Sequence, residues 1–102
     1  MIIEHTIAFG SDHPALDGHF PDDPIVPGAV LLDEAACLAR DRGAGRVTGV
    51  RTAKFKTPLR PGTDCTFRLE TRDDGALELT CRVGQTMVLT AILDCAASDD
   101  PS

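Results

Sequence analysis

Two side chains that could exchange protons, His19 and Asp33, stand fourteen residues apart in the N-terminal half of the chain. A neutral imidazole titrates at about pH 6.5 and can accept a proton from a reacting carbon or oxygen. A carboxyl in apolar surroundings has a raised pKa, so it can hold a proton near neutrality or orient a water molecule. Such a pair predicts general acid–base chemistry, in which one group removes a proton and the other protonates a leaving group.

The two groups fall on different predicted elements. His19 lies in a stretch from Gly10 to Gly28 that is rich in Gly, Pro, Asp and His. Prolines at this density exclude a helix interior or a central strand, and ordered loops of this length are usually functional. Residues 29–40 are the best helix candidate, with glycines on both sides. Their apolar side chains cover most of the helix circumference, which predicts a buried helix, and a buried helix makes Asp33 an unusual carboxylate.

The remaining segments predict strands. Residues 2–9 form a short β-branched run before the loop, and four further strands are expected at about 46–57, 63–71, 75–83 and 86–95. The Asp73-Asp74-Gly75 sequence is a favoured hairpin signal. This order predicts an α+β domain, an antiparallel sheet wrapped around one central buried helix. We expect the domain to occupy residues 1–97, with residues 98–102 as a flexible tail.

Two segments carry a resemblance to a known family. Residues 18–28 have the sequence GHFPDDPIVPG, and Asp33 follows on the predicted helix. This resembles the signature of the 3-hydroxyacyl-(acyl-carrier-protein) dehydratases, G-H-F-(P/V)-x-x-P-x-x-P-G with an acid fourteen residues after the histidine. Residues 55–62, FKTPLRPG, are similar to the F-K-x-P-(V/L)-x-P-G segment of that family. Together these segments and the strand order cover nearly the whole chain.

The resemblance implies a hotdog fold and a role for each matching residue. His19 corresponds to the catalytic histidine and Asp33 to the catalytic acid. The backbone N–H of Gly28, at the helix start, would donate to the thioester oxygen as negative charge grows there. The acyl chain would lie in an apolar tunnel lined partly by Phe20, Val30 and Leu31.

The implied reaction removes water from a 3-hydroxyacyl thioester and gives the trans-2-enoyl thioester, in fatty-acid or related polyene lipid biosynthesis. It requires no metal and no organic cofactor. The family resemblance also implies a homodimer in which the histidine of one subunit faces the acid of the other, with a trimer of dimers as a larger assembly. The substrate would arrive on the phosphopantetheine arm of an acidic acyl carrier protein, for which Lys54, Lys56 and Arg60 are candidate docking residues.

The chain departs from the common pattern in three places. The usual dehydratases carry Gln four residues after the acid, where this chain has Cys37, and a small residue directly after it, where this chain has Glu34. The P-H-R-x-P-F segment of the usual bacterial enzymes is also absent. These differences predict a compact, divergent branch, similar to the stand-alone dehydratases of aryl polyene synthesis.

Charge and hydropathy narrow the expected partners and location. The formal net charge of −6 argues against nucleic acid as the main partner. The basic residues concentrate between Arg40 and Arg60, which is either a solvated face or a positive patch that steers an acidic partner. No signal peptide and no apolar run long enough to span a membrane is present in the sequence, so a cytoplasmic protein is expected.

The four cysteines, Cys37, Cys65, Cys81 and Cys95, are widely spaced, without a C-x-x-C pair or a histidine cluster. A zinc site is therefore not expected. Their even number leaves a disulfide open, but without a secretory signal we expect reduced, mostly buried thiols.

Several alternatives stay open at the level of sequence. Asp33 could form an ion pair with Arg40 instead of acting on a substrate, and the adjacent Glu34 is a second candidate acid. The two carboxylates lie about 100° apart around a helix, so both cannot point into one site. The chain could also be a hotdog thioesterase, or a non-catalytic acyl-binding or assembly subunit.

Overall fold

The computed structural model describes residues 1–9 and 25–96. Along these residues the elements are β1 (Ile2–Ala8), α1 (Gly28–Asp41), β2 (Arg46–Phe55), β3 (Asp64–Thr71), β4 (Leu77–Val83) and β5 (Thr86–Ala96). Most of the proline-rich segment, with His19 and Phe20, lies outside the described residues, and so do residues 97–102, which include the predicted tail at 98–102. Within the described ranges, α1 is too short and too polar to cross a membrane.

The strands follow the sequence prediction to within two residues, and local chemistry accounts for the differences. β2 stops at Phe55, because the N–H groups of Lys56 and Thr57 both turn to the carbonyl of Val88 and Pro58 disfavours further pairing. β4 starts only at Leu77, because Gly75 holds a left-handed conformation (φ +89°) in the turn before it.

All strand pairs are antiparallel, in the order β1-β3-β4-β5-β2, so β1 and β2 form the two edges of the sheet. Apart from Val88 at a register shift in β5, the three central strands bury alternate side chains on one face, where Phe67, Leu79 and Leu89 belong to the largest enclosed residues. α1 packs on this same face, beside β2 and β3. The hydrophobic core therefore lies between one helix and the inner face of one sheet.

The sheet covers only one face of α1. The buried residues of the helix, spaced for a single face, are Leu31, Ala35, Leu38 and Ala39. The opposite side has exposed residues, Ala29, Asp33, Arg40 and Asp41, with half-buried apolar residues between the two stripes. The composition of the helix predicted burial on all sides. Within one chain that burial is incomplete, because a single five-stranded sheet covers only one side of the helix.

The cysteines divide into two groups. Cys65 on β3 and Cys81 on β4 are fully buried and joined in a disulfide, with their Cα atoms 6.4 Å apart. The expectation of reduced thiols is wrong for this pair, since the antiparallel register of adjacent strands brings two distant positions together. Cys37 and Cys95 are free and half-buried, and burial raises the pKa of the Cys95 thiol.

Candidate functional site

An apolar cavity of about 600 Å³ lies at the N-terminus of α1. Its walls come from residues 25–28 before and at the helix start, from Leu31, from residues 55–59 at and beyond the end of β2, and from Val88 on β5. A volume of this size falls within the range of small-molecule binding sites. The cavity is therefore a candidate site for an extended apolar ligand.

Backbone hydrogen bonds hold the two wall segments together. Val26 donates its N–H to the carbonyl of Leu59 at 2.8 Å, so the segment that enters the helix is fixed to the segment that leaves β2. Lys56 donates to the carbonyl of Val88 at 2.8 Å and anchors the end of β2 to β5. The cavity is thus built between pinned backbone segments.

The helix presents amide groups to this cavity. Pro27 is the N-cap residue, in an extended conformation (φ −61°, ψ 144°), and it makes no side-chain cap hydrogen bond. Its carbonyl accepts from the N–H groups of Val30 and Leu31, whereas helix geometry gives Gly28 and Ala29 no intrahelical acceptor. The positive end of the helix dipole therefore faces a cavity lined largely by carbon, which favours an oxygen that carries partial negative charge.

The structure brings only some of the predicted site residues to the cavity. Gly28 and Leu31 line it, whereas the half-buried Val30 does not. Asp33 is exposed and lies about 200° around the helix from Leu31, so it points away from the cavity of its own chain. His19 and Phe20 lie outside the described residues.

The structure also defines the positions of Arg40, considered as an ion-pair partner of Asp33, and of Glu34, considered as an alternative acid. Arg40 donates through Nε to Asp41 at 3.2 Å, and this hydrogen bond raises the pKa of the Arg40 guanidinium. The ion pair recorded for Arg40 is thus to Asp41 and not to Asp33. Glu34 is half-buried and does not line the cavity.

The basic segment between Arg40 and Arg60 separates into paired and unpaired charges. Arg51 bridges Asp94 at 2.7 Å and Asp74 at 3.1 Å, and Arg42 lies 3.4 Å from the Nδ1 atom of His5. The exposed Lys54 and Lys56 have no ion pair in the described part of the chain, and Lys56 lines the cavity. The free positive charge of this segment thus includes one group at the cavity itself.

Sequence reasoning missed most of the cavity's lining, including Phe55 and Val88. Phe55 and Val88 line the cavity beside Gly28 and Leu31, although neither was assigned a role. Phe55 stands at the end of β2 within the FKTPLRPG segment, where its position next to the helix start depends on how β2 pairs with β5. Among the described residues, no group of three or more potential ligands could hold a metal ion.

Comparison with known proteins gives the family. A profile of the ApeI-like family, described as ApeI dehydratase, matches residues 2–91. The chain belongs to the ApeI-like dehydratase family. This ApeI-like chain is also similar to several 3-hydroxyacyl-(acyl-carrier-protein) dehydratases called FabZ. The relative from Chlamydia pneumoniae is 30% identical over 106 aligned positions, which cover 89% of this chain and 69% of the relative.

A shorter sequence alignment agrees with this assignment, and structural alignments identify the fold. FabZ of Chlamydia trachomatis serovar L2 is 33% identical over 70 residues, and in that alignment the chain spans 46% of the relative's length. A chain of the dehydratase heterocomplex ApeI:P from Xenorhabdus doucetiae superposes with a TM-score of 0.82 at 18% identity, covering 93% of this chain and 88% of that one. The (R)-hydratase from A. caviae involved in PHA biosynthesis gives a TM-score of 0.65 at 22% identity, with 94% and 95% covered. The hotdog fold predicted from the sequence is confirmed.

Proposed function

We propose that this chain removes water from 3-hydroxyacyl thioesters carried on an acyl carrier protein. The observation that supports the proposal is the apolar cavity at the uncapped N-terminus of α1, the helix that follows the GHFP sequence along the chain. Such a cavity can hold an acyl chain while the amide N–H groups of the first helical turn donate hydrogen bonds to the thioester oxygen.

The chemistry assigned to the site is an elimination. His19 takes the C2 proton, the electron pair forms the C2–C3 double bond, and the C3–oxygen bond breaks. Asp33, directly or through a water molecule, supplies the proton with which the hydroxyl leaves as water. The Gly28 N–H stabilises the charge that grows on the thioester oxygen, an effect worth roughly 3–4 kcal/mol for one such donor in other enzymes. The chemistry needs no cofactor.

The position of Asp33 makes a second copy part of the proposal. Asp33 faces away from the cavity of its own chain, so in our proposal it serves the cavity of a partner. Val50 is 47% exposed on edge strand β2 and pairs with Leu93, which places its side chain on the inner face. An apolar side chain on an open edge favours association with another chain, and a homodimer would cover it.

The docking part of the proposal concerns the exposed lysines. Acyl carrier proteins are acidic, and Lys56 lies at the cavity with Lys54 two residues before it and the exposed Arg60 four residues after it. A positive rim of this kind would steer the carrier and present its phosphopantetheine arm to the cavity.

The test is an assay with purified protein and carrier-bound 3-hydroxyacyl substrates of graded length, following enoyl formation by absorbance and mass spectrometry. We expect His19→Ala and Asp33→Asn each to lower kcat/KM at least about 100-fold. Glu34→Gln is the matched control, because it removes the neighbouring charge without touching the proposed pair. Equal losses for Asp33→Asn and Glu34→Gln would contradict the assignment of the acid.

The same assay separates the other candidate functions. Release of free thiol without enoyl formation would favour a thioesterase. No turnover of any thioester by the protein alone would favour an assembly subunit. The structural neighbour from Xenorhabdus doucetiae, described as part of a heterocomplex, makes a partner of different sequence the first one to add in that case.

A further inference from the structure

The ring of Phe55 lies against the backbone of Gly28. A Cβ atom built on Gly28 would fall 2.6 Å from Cζ and 3.2 Å from Cδ1 of Phe55, and it would overlap Cε1. Real Cβ atoms essentially never come this close to another heavy atom. The first residue of α1 is thus in contact with the last residue of β2.

This contact accounts for the glycine at position 28. The φ angle of Gly28 lies outside the left-handed region, in a helix where alanine is intrinsically favoured by about 1 kcal/mol. The backbone therefore does not require glycine here. The Phe55 ring instead occupies the volume in which any side chain at position 28 would begin, so the ring would have to move to admit one.

The ring is held by its strand and still faces the cavity. Phe55 pairs with Leu89, and the next residue, Lys56, donates to the carbonyl of Val88 at 2.8 Å, so the backbone that carries the ring is fixed on both sides. The ring itself is 55% exposed and forms part of the cavity wall. Phe55 is thus a side wall next to the amide end of α1.

A thioester whose oxygen accepts from the Gly28 N–H places its C2 atom one bond away from the bound carbonyl carbon. The ring on Gly28 then limits the space beside C2. We propose that Phe55 determines specificity at C2, so that the site accepts an unsubstituted methylene and excludes a 2-methyl branch. This inference rests on the proposed function and goes beyond it by defining the acyl class.

The test compares hydration of a 2-butenoyl thioester with that of its 2-methyl analogue, both on the same pantetheine thiol. The native protein is expected to prefer the unbranched substrate at least about tenfold in kcat/KM, which is the size of effect that one methyl group produces in a tight pocket. Phe55→Ala and Phe55→Leu are expected to reduce that ratio, with the larger reduction for alanine. Val47→Ala, an apolar change on the same face of β2 but away from the cavity, should leave the ratio unchanged.

A second measurement tests the contact without relying on turnover. Gly28→Ala should lower the melting temperature by several degrees in the native background, and should leave it unchanged or raise it when combined with Phe55→Ala. Equal effects of Gly28→Ala in both backgrounds would overturn the inferred contact. An unchanged substrate ratio in both Phe55 variants would overturn the specificity role alone, whereas a native protein that hydrates neither thioester would overturn the proposed function and this inference together.

Discussion

Two phenylalanines occupy one row of the sheet and have opposite surroundings. Pairing runs from Phe67 on β3 to Cys81, then to Leu89, and then to Phe55 on β2, so all four side chains share the inner face. Phe67 is fully enclosed and its ring meets that of Phe9 edge-on, whereas Phe55 is 55% exposed. The chain therefore completes its own core at the centre of the sheet and leaves apolar surface open at the β2 edge, where we place the ligand and the second copy.

The largest expected effect comes from removing the enclosed ring. Phe67→Ala should lower the free energy of unfolding by about 3–5 kcal/mol, because it deletes a buried side chain and leaves a void. The matched change Phe55→Ala should lower it by about 1 kcal/mol or less, since surface changes usually have small effects. Urea denaturation of dilute protein measures both values. Losses of similar size would mean that the side chains at the β2 edge are as enclosed as those at the centre of the sheet.

The second prediction concerns the open edge. Val50→Glu should weaken dimerisation at least about 100-fold, because a carboxylate would have to be buried against apolar surface. Thr52→Glu adds the same charge on the outward face of β2, opposite Ile92, and should have a much smaller effect. Sedimentation equilibrium measures the dimer dissociation constant. A native protein that stays monomeric at high concentration would contradict the proposed assembly.

The sequence predicts the centre of the sheet better than its open β2 edge. Turn residues such as Gly75 and the alternation of apolar residues in β3 are local signals, and they predicted the strand bounds closely. The surroundings of Asp33 were not predictable, because an apolar helix has the same composition whether its own sheet or a partner covers it. The contact of Phe55 with Gly28 depends on strand register, which no local pattern contains.

The same limit applies to the cysteines. Cys65 and Cys81 are 16 positions apart in the sequence, and nothing about that spacing selects them over the other pairs. Only the β3–β4 register places them side by side. Sequence reasoning predicted their burial correctly and their redox state wrongly, since burial depends on residue type and strand pattern while pairing depends on tertiary geometry.

The third prediction tests whether a carrier protein also binds at the open β2 edge of the sheet. Lys56→Glu should weaken binding of an acidic carrier several-fold at low salt, and the difference should shrink as salt is added. Arg46→Glu reverses an exposed charge at the other end of the same strand and should change binding less. Surface plasmon resonance at two ionic strengths measures both. Equal weakening by the two reversals would indicate a response to net charge and not to a docking face.

The smallest expected effect lies at the β3–β4 turn, where the carboxylate of Asp74 already has hydrogen-bond partners within the chain. The backbone N–H of Ala76 and then the side chain of Arg51 hold the pKa of Asp74 below its usual value. A carboxyl whose pKa is lowered by folding stabilises the protein above its unfolded pKa of about 3.9, and that contribution is lost as the pH falls through the lower folded value.

Asp74→Asn keeps an oxygen for the Ala76 amide and removes the charge, so its melting temperature should lie a few degrees at most below that of the native protein at neutral pH. The difference should disappear as the pH is lowered through about 4 towards 2.5, because the native carboxyl then becomes neutral as well. Thermal melts of both proteins across this range measure it. A difference that persists undiminished at the acid end would mean that Asp74 acts through the shape of the turn and not through its charge. The turn would then be stabilised by its geometry, as the centre of the sheet is, and not by surface charge.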